Sequence, residues 1–321
     1  MKFYAGVTDN EWFHFLAARD NEDINFWQPS GRTAFKVLDE GAPFIFKLKK
    51  PANAIGGVGF FSSHSILPLD VAWDIFEERN GVRSYLEFRN KIVNYRSDGK
   101  NSFANNPNVG CIVLTDPIFF AERDWIPVPR DWKNAIVQGK SYETIDKIGA
   151  ELWDAVQQRI SHYRRKEKCD QKRQKDYTEG MIVQEVQPRY GKPQLIQSRL
   201  GQGAFRVQIT DAYSRRCAIS GEKTLPALEA AHIKPYGESG PHHVTNGLLL
   251  RADMHKLYDS GYMTITTDHR VEVSKKINEE FSNGKDYYKH HGQQLLILPK
   301  NMAQQPASQY IEWHNENIYN G

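Results

Sequence analysis

Apolar and polar positions alternate in short segments through residues 1–145, and turn-forming residues separate these segments. The segments richest in β-branched and aromatic residues, which predict strands, are residues 44–48, 55–61 and 110–114. Residues 70–79 and 83–95 instead carry apolar residues at the spacing of a helix. This mixture predicts an α+β domain, most simply a small closed β-barrel with flanking helices.

From residue 143 the pattern changes to one apolar stripe at helical intervals, which predicts a long amphipathic helix. The stripe consists of Ile145, Ile148, Leu152, Val156, Ile160 and Tyr163. The basic residues that crowd its later part are Arg159, Arg164, Arg165, Lys166, Lys168, Lys172, Arg173 and Lys175. A solvated helix end is one interpretation of this charge, and a phosphate-binding face is the other. We assign residues 146–194 to a helical basic linker.

The most informative stretch carries three polar landmarks in a predicted strand, loop, strand and helix. These landmarks are His232, Asn246 and His255. Apolar residues around the first histidine predict a short strand that ends at Pro235, and residues 236–245 have the composition of a loop. A second apolar run follows the asparagine, and residues 251–259 predict a helix closed by Gly261.

This arrangement resembles the HNH nucleases, whose core is the ββα-metal fold, and it assigns residues 195–321 to a domain of that kind. By this resemblance, His232 is the general base that activates water. Asn246 is the amide that holds the loop and orients His232, and His255 is a metal ligand on the helix. The residue types suit the reaction, because phosphodiester hydrolysis needs an activated water and a cation that neutralises charge on the phosphate. A neutral imidazole can accept the proton of that water.

One residue departs from the family pattern. Many HNH nucleases carry Asp directly before the first histidine as a second metal ligand, whereas this chain has Ala231. Either His255 and water hold the metal, or another carboxylate contributes. Asp259 is the favoured candidate because positions i and i+4 of a helix share a face, and Glu229 is the second candidate. The implied cofactor is a divalent metal ion, Mg²⁺ or Mn²⁺.

Cysteine content and overall composition bear on a zinc site, the redox compartment and membrane association. Cys217 has no neighbouring cysteine, and Cys111 and Cys169 are distant in sequence, so the structural zinc of other HNH proteins is not expected. Three isolated cysteines fit a reducing compartment. A mean hydropathy of −0.64 and the lack of a long apolar run indicate a soluble, cytoplasmic protein without a membrane partner.

Several diffuse motifs of the first domain resemble the EVE domains of the PUA-like superfamily, in the form that is fused to HNH nucleases. These motifs are Asn25-Phe26-Trp27-Gln28-Pro29-Ser30, Gly56-Gly57-Val58-Gly59-Phe60-Phe61, Val109-Gly110-Cys111, Pro117-Ile118-Phe119-Phe120, Trp125 and Val137-Gln138-Gly139-Lys140-Ser141-Tyr142. The resemblance covers residues 1–145 and implies that this domain selects the target. Reading a modification on a base requires a closed cavity that takes the base out of the stack.

Flat aromatic walls and amide groups are the side chains that such a cavity needs. The pocket that we predict consists of Trp27, Asn25, Gln28, Phe60, Phe61, Ser62 and Tyr142, with Ser141 as an alternative to Ser62. The other interpretation is that these aromatic residues form the core of the barrel. The predicted phosphate contacts are Arg164, Arg165, Lys166 and Arg206.

The combined resemblances imply a modification-dependent restriction endonuclease. Its expected partner is double-stranded DNA that carries 5-methylcytosine or 5-hydroxymethylcytosine, with the modified base flipped out. One HNH site breaks one strand, so a double-strand break needs either two protomers, as in a homodimer, or two visits by one protomer. Two alternatives remain: a non-selective HNH nuclease, and a non-catalytic reader of modified RNA or DNA. The missing Asp before His232 favours the second of these.

Overall fold

The computed structural model describes residues 1–96, 106–176 and 201–321, without the side chains of residues 167–176. The described residues form two compact units. Within those limits, the first unit comprises Met1–Ile66 and Phe76–Arg199, and the second comprises Leu67–Ile75 and Leu200–Gly321. The basic side chains predicted at Lys168, Lys172, Arg173 and Lys175, together with residues 177–194 of the predicted linker, lie outside the described part.

A mixed sheet forms the framework of the first unit. Its strands are β1 (Lys2–Thr8), β2 (Asp23–Gln28), β3 (Pro43–Leu48), β4 (Ala54–Pro68), β5 (Asn108–Phe119), β6 (Ile126–Pro127) and β7 (Gly139–Glu143). Among the described residues the hydrogen-bonded order is β2-β5-β4-β3-β1-β7, and β6 pairs with β4 off this path. The β1–β3 pair is parallel, whereas the β1–β7, β2–β5 and β3–β4 pairs are antiparallel.

Helices interrupt and follow these strands. Those of the first unit are α1 (Asn10–Ala17), α3 (Tyr85–Tyr95) and α4 (Lys147–Asp176). The helix α2 (Leu69–Phe76) follows β4 in the chain, and its residues up to Ile75 belong to the second unit. Asp9 begins α1 by accepting hydrogen bonds from the backbone N–H groups of Glu11 and Trp12, and Ser84 caps α3 in the same way. The apolar stripe of α4 packs on the sheet through Leu152, Trp153, Val156 and Ile160. The first half of the helix that the sequence places in a linker is therefore part of the core of this unit.

Both faces of the sheet are covered by helices. β3 is buried at all six positions, and its side chains alternate between two separate cores. Phe44 and Phe46 pack with residues of α1, whereas Ile45 packs with residues of α4. The closed barrel that the sequence predicts is not found in the described residues, because β2 and β7 end the path without pairing with each other. Helix packing buries both faces and makes closure unnecessary.

The second unit contains the predicted strand, loop, strand and helix. Its elements are α5 (Gln202–Ala212), β8 (Leu228–His232), β9 (Gly247–Arg251), α6 (Ala252–Asp259), β10 (Met263–Ile265), β11 (Val271–Val273), α7 (Lys276–Phe281), α8 (Lys285–Tyr288) and α9 (Ser308–Asn317). β8 and β9 form an antiparallel pair in which His232 lies opposite Gly247, and β10 and β11 form a second pair. Gly261, just beyond α6, has the positive φ of 76° expected of a helix stop.

α5 lies close to the start of β9. A Cβ atom at Gly247 would lie 2.4 Å from Cδ1 of Ile209 and 2.7 Å from Cζ of Phe205. The glycine therefore permits this close approach, which brings Phe205 beside the end of β8. None of the helices in the described residues combines the length and the apolarity needed to cross a membrane.

Candidate active site

His232, the last residue of β8, is held between two rings. The ring of Phe205 stacks on the imidazole with centroids 4.0 Å apart and an angle of 15° between the planes. Nε2 of His232 lies 2.9 Å from Nδ1 of His242, which stacks in turn on Tyr236 with centroids 4.5 Å apart. These contacts fix the orientation of the His232 ring, since both a face and one nitrogen are engaged.

The surroundings of His232 favour its neutral form. Burial is the largest cause that lowers the pKa of this imidazole to about 4, and the neighbouring His242 and His255 lower it further. The ring is therefore unprotonated at neutral pH and has a lone pair for a proton. Among the described residues, Nδ1 of His232 has no hydrogen-bond partner, so this nitrogen is the one that can face a water molecule.

Asn246 is fully buried and fastens both ends of the loop that joins β8 to β9. Its side-chain oxygen accepts a hydrogen bond from the backbone N–H of Lys234 at 2.9 Å. Its amide nitrogen donates to the carbonyl oxygens of Lys234 and Pro241, each at 3.0 Å. The backbone N–H of Ile233 also donates to the carbonyl of Asn246 at 3.0 Å. This geometry holds the residues that directly follow His232.

His255, on α6, is flanked by carboxylates on both ring nitrogens. Nδ1 lies 2.6 Å from Oε2 of Glu229, and Nε2 lies 3.3 Å from Oδ2 of Asp259. Burial raises the pKa of the Asp259 carboxyl, Glu229 adds to this effect, and His255 opposes it. The structure therefore brings together both carboxylates that the sequence offers as alternatives, with the shorter contact to Glu229.

These three residues have the donor types for a divalent cation. Carboxylate oxygens suit Mg²⁺ and Mn²⁺, so the two carboxylates of Glu229 and Asp259 fit the implied metal, and the His255 imidazole can add a nitrogen ligand. Within the described ranges, however, no group of three or more His, Cys, Asp or Glu side chains is arranged to hold a metal ion. Both nitrogens of His255 contact carboxylates, so a bound cation requires one of these contacts to open.

Ala231 has no side-chain donor atom to add to this group. Ala231 is fully buried in the hydrophobic core of the second unit, paired across the strands with Leu248. A carboxylate in place of this side chain would be buried among apolar residues, at a large desolvation cost. Glu229, two residues earlier on the same strand, is the carboxylate of β8 that contacts His255.

Sequence reasoning did not assign a role in the site to His242 or Phe205. His242 lies in a loop whose composition of Gly, Ser, Pro and His indicates a connection and gives no spacing rule for a contact with His232. Phe205 comes from α5, which precedes the strands, so its stacking depends on the fold of the whole unit. The one available signal is the presence of His242 between two residues already assigned to the site.

In the first unit, Asn25 and Trp27 lie on the same side of β2. The Asn25 amide nitrogen donates to Oδ1 of Asn80 at 2.8 Å, and Nε1 of Trp27 donates to the carbonyl oxygen of Asn80 at 2.9 Å. The Trp27 ring also contacts residues of α3, with its centroid 5.9 Å from that of Phe88. Gln28 is adjacent along the strand and therefore points to the opposite face.

The remaining residues of the predicted pocket are buried in two different cores. Phe60 and Tyr142 belong to the core under α4, whereas Phe61 belongs to the core under α1. The Tyr142 hydroxyl donates to Asp131 at 3.0 Å, and Ser62 is buried as well. Because neighbouring residues of a strand face opposite ways, the seven residues predicted for the base pocket do not line one cavity. The structure therefore does not bring the residues of the predicted base pocket together.

The predicted phosphate contacts belong to both units. Arg164 lies over the ring of Phe60 at 5.9 Å, while Arg165 and Lys166 are exposed on α4. Arg206, in the second unit, donates to Oδ2 of Asp74 at 2.5 Å, and Asp74 belongs to the segment Leu67–Ile75 of the same unit. The guanidinium of Arg206 is thus already neutralised by a carboxylate.

The second unit therefore combines two antiparallel strands and a helix with an oriented imidazole and an imidazole–carboxylate group. This is the constellation of a ββα nuclease. Residues 217–266 match the family model HNH_2, described as HNH endonuclease, so the chain carries an HNH endonuclease domain there. A comparison with curated proteins gave no match.

Three solved structures show distant similarity. A mutant form of ZmASCH from Zymomonas mobilis is 10% identical, with a TM-score of 0.33, and the match covers 49% of this chain and 99% of that one. ASCH from the same organism is 11% identical with a TM-score of 0.32, covering 46% and 91%. The modification-dependent TagI restriction endonuclease is 14% identical with a TM-score of 0.27, covering 94% and 78%. These scores are low, so the function must rest on the residues of this chain.

Proposed function

We propose that this protein is a modification-dependent DNA endonuclease that recognises modified cytosine and hydrolyses a phosphodiester bond at its HNH site. The observation that carries the hydrolytic part is the orientation of His232 by Phe205 and His242, in a domain that matches the HNH model. The substrate is double-stranded DNA that carries 5-methylcytosine or 5-hydroxymethylcytosine.

Each residue of the site has one task in this proposal. Nδ1 of His232 accepts a proton from water as the oxygen attacks the phosphorus atom. Asn246 keeps the loop after β8 in place, and the Phe205 stack holds the imidazole plane. Glu229, His255 and Asp259 are the residues that would hold Mg²⁺ or Mn²⁺. When bound, such an ion supplies charge neutralisation at the phosphate and at the leaving oxygen.

Selectivity is the task of the first unit in this proposal. A methyl group on a base contributes only about 1–3 kcal/mol of discrimination in a fitted pocket. Extrusion of the base into a cavity makes such a small group readable. The exposed Arg165 and Lys166 on α4 can contact phosphates without reading bases. One HNH site breaks one strand, so a double-strand break requires two protomers or two visits by one protomer.

The test compares plasmids that differ only in cytosine modification, digested by the full chain with Mg²⁺ or Mn²⁺ and with a chelator. We expect metal-dependent cutting of the modified plasmid and little cutting of the unmodified one. The variant His232→Ala should lose cutting and retain binding to modified DNA, while His243→Ala, a change at an exposed neighbouring histidine, should keep both.

Other outcomes identify the alternatives. Equal cutting of both plasmids would replace the proposal with a non-selective nuclease. Selective binding of modified DNA without turnover in any metal would identify a non-catalytic reader. Full cutting by the His232→Ala variant would remove this residue as the base and leave the selectivity unaffected.

A further inference from the structure

A glycine in the middle of the sheet lies between two polar side chains from the neighbouring strands. In the β2–β5 pair, Gly110 lies directly opposite Gln28, and β4 flanks β5 on its other side. A Cβ atom at Gly110 would lie 3.1 Å from Oε1 of Gln28 and 3.2 Å from Nε2 of His64. Because glycine has no side chain, these two polar atoms approach the backbone of β5 closely, and we call the place between them over Gly110 the notch.

Both polar atoms are buried and lack a hydrogen-bond partner within the part of the chain that the structure describes. Leaving a buried polar group unpaired costs about 1–3 kcal/mol. Burial also lowers the pKa of His64, so its ring is neutral and presents one donor and one acceptor nitrogen. Unpaired groups around one notch indicate a site that is completed by a ligand.

Aromatic rings lie on the same face of the sheet as the notch. Phe26 is two residues before Gln28 on β2, so the two side chains point the same way. Its ring centroid is 4.6 Å from that of Phe44, and the rings of Tyr4 and Phe35 pack together at 5.3 Å on the same core. The side chains of Phe26, Tyr4 and Phe35 are half-buried and not fully enclosed in the core. A flat ligand can therefore find an apolar surface beside the polar notch.

A positively charged side chain lies at the end of β2 and the start of β5, close to Gln28 and Gly110. Nε of Arg96 donates to the carbonyl oxygen of Pro29 at 2.6 Å, and its Nη2 donates to the carbonyl oxygen of Asn108. Pro29 directly follows Gln28, and Asn108 begins β5 two residues before Gly110. Arg32 is close enough to lower the pKa of Arg96, although burial is the larger cause. This end of the sheet is therefore suited to a ligand that carries a phosphate.

We propose that the notch formed by Gln28, His64 and Gly110 binds the polar edge of a flipped pyrimidine base, with Arg96 beside its phosphate. An amide and a neutral imidazole each offer both a donor and an acceptor, which matches the amino group and ring nitrogen of cytosine. This inference rests on the proposed function and locates its reading site. It replaces the pocket predicted from Trp27, Phe60 and Tyr142 and keeps Gln28.

The test measures binding by the full chain with His232→Ala, so that DNA is not cut. Fluorescent duplexes contain either one 5-methylcytosine, one 5-hydroxymethylcytosine or no modification in the same sequence. Gly110→Ala fills the notch with a methyl group, and Gln28→Met removes the amide at nearly constant volume. Ser30→Ala, at an exposed residue just beyond β2, is the matched control, and thermal unfolding reports whether each variant is folded.

We expect Gly110→Ala and Gln28→Met to reduce the preference for the modified duplex by about tenfold or more, while affinity for unmodified DNA stays the same. Arg96→Gln should weaken binding to all duplexes, because it removes a phosphate contact. Retained preference in both notch variants would overturn this inference and leave the proposed function intact. Equal binding of all duplexes by the parent chain would instead overturn the proposed selectivity itself. If only Gln28→Met loses the preference for the modified duplex, while Gly110→Ala is folded and keeps that preference, the notch is not the base-binding site.

Discussion

His232 and His242 meet through ring nitrogens, with Nε2 of His232 2.9 Å from Nδ1 of His242. One proton occupies such a contact, so one nitrogen donates and the other accepts. If Nε2 of His232 donates, its Nδ1 is left with the lone pair that a general base needs. The contact fixes the orientation of the His232 ring, and the proposed reaction uses the tautomer in which Nε2 donates. His242 is a positioning residue in that proposal.

Replacing His242 with Ala should lower kcat by about tenfold to a hundredfold with little change in KM, because a partner that orients a functional imidazole is lost. His242→Asn should recover part of the rate, since its amide oxygen can accept the same hydrogen bond. Steady-state cleavage of a modified duplex measures both effects. His243→Ala is the control, because His243 is exposed and contacts Thr245. Equal rates for His242→Ala and His243→Ala would contradict the prediction.

The carboxylates at His255 provide a second prediction. Glu229→Gln should raise the concentration of Mg²⁺ or Mn²⁺ needed for half-maximal cleavage by about tenfold to a hundredfold. Asp259→Asn should have a smaller effect, because its contact with His255 is 3.3 Å rather than the 2.6 Å of Glu229. Metal titration of the cleavage rate compares the two. Asp286→Asn, at a side chain that is 87% exposed, is the control. Unchanged metal dependence in both variants would show that neither carboxylate contributes to metal binding.

The second unit was predictable because its site is local in sequence. β8, the loop, β9 and α6 follow one another, so spacing alone places His232, Asn246 and His255 on consecutive elements. The contacts that complete the site are not encoded by spacing. Phe205 reaches His232 only because Gly247 lets α5 approach β9, and Glu229 becomes a neighbour of His255 only when α6 folds back toward β8.

The first unit was predictable in its elements and less so in their arrangement. Apolar residues at successive positions, as in Phe44, Ile45 and Phe46, indicate a strand that is buried on both faces. They do not distinguish a closed barrel from a sheet covered by helices. The stripe through Leu152 and Val156 likewise shows that α4 buries one face, but not that the sheet is its partner. The predicted base-pocket residues are not brought together for a simpler reason, since Phe60 and Phe61 are strand neighbours and face different cores.

Asn246 should contribute to stability as well as to activity. Asn246→Ala removes three partly buried hydrogen bonds and leaves the N–H of Lys234 and the carbonyl groups of Lys234 and Pro241 without this partner. We expect a loss of about 2–4 kcal/mol in the free energy of unfolding, together with reduced cleavage. Chemical denaturation of the variant measures this loss. Thr245→Ala, a change in the same turn, should cost less than about 1 kcal/mol. Similar values for the two variants would contradict the role of Asn246 as the clamp of this loop.

A buried histidine outside the site should make the second unit sensitive to acid. His314 stacks on Tyr258 with centroids 3.9 Å apart, and burial lowers the pKa of its ring from 6.5 to about 4. The folded protein therefore binds fewer protons than the unfolded chain between these two values, so stability falls as pH decreases from 6.5 to 4 and levels off below. The contribution is about 3 kcal/mol over that window. Chemical denaturation of the parent and of His314→Gln at several pH values measures this contribution. The variant should be less stable than the parent at pH 7, and its free energy of unfolding should fall less steeply as pH decreases. Parallel plots of the free energy of unfolding against pH would contradict this role of His314.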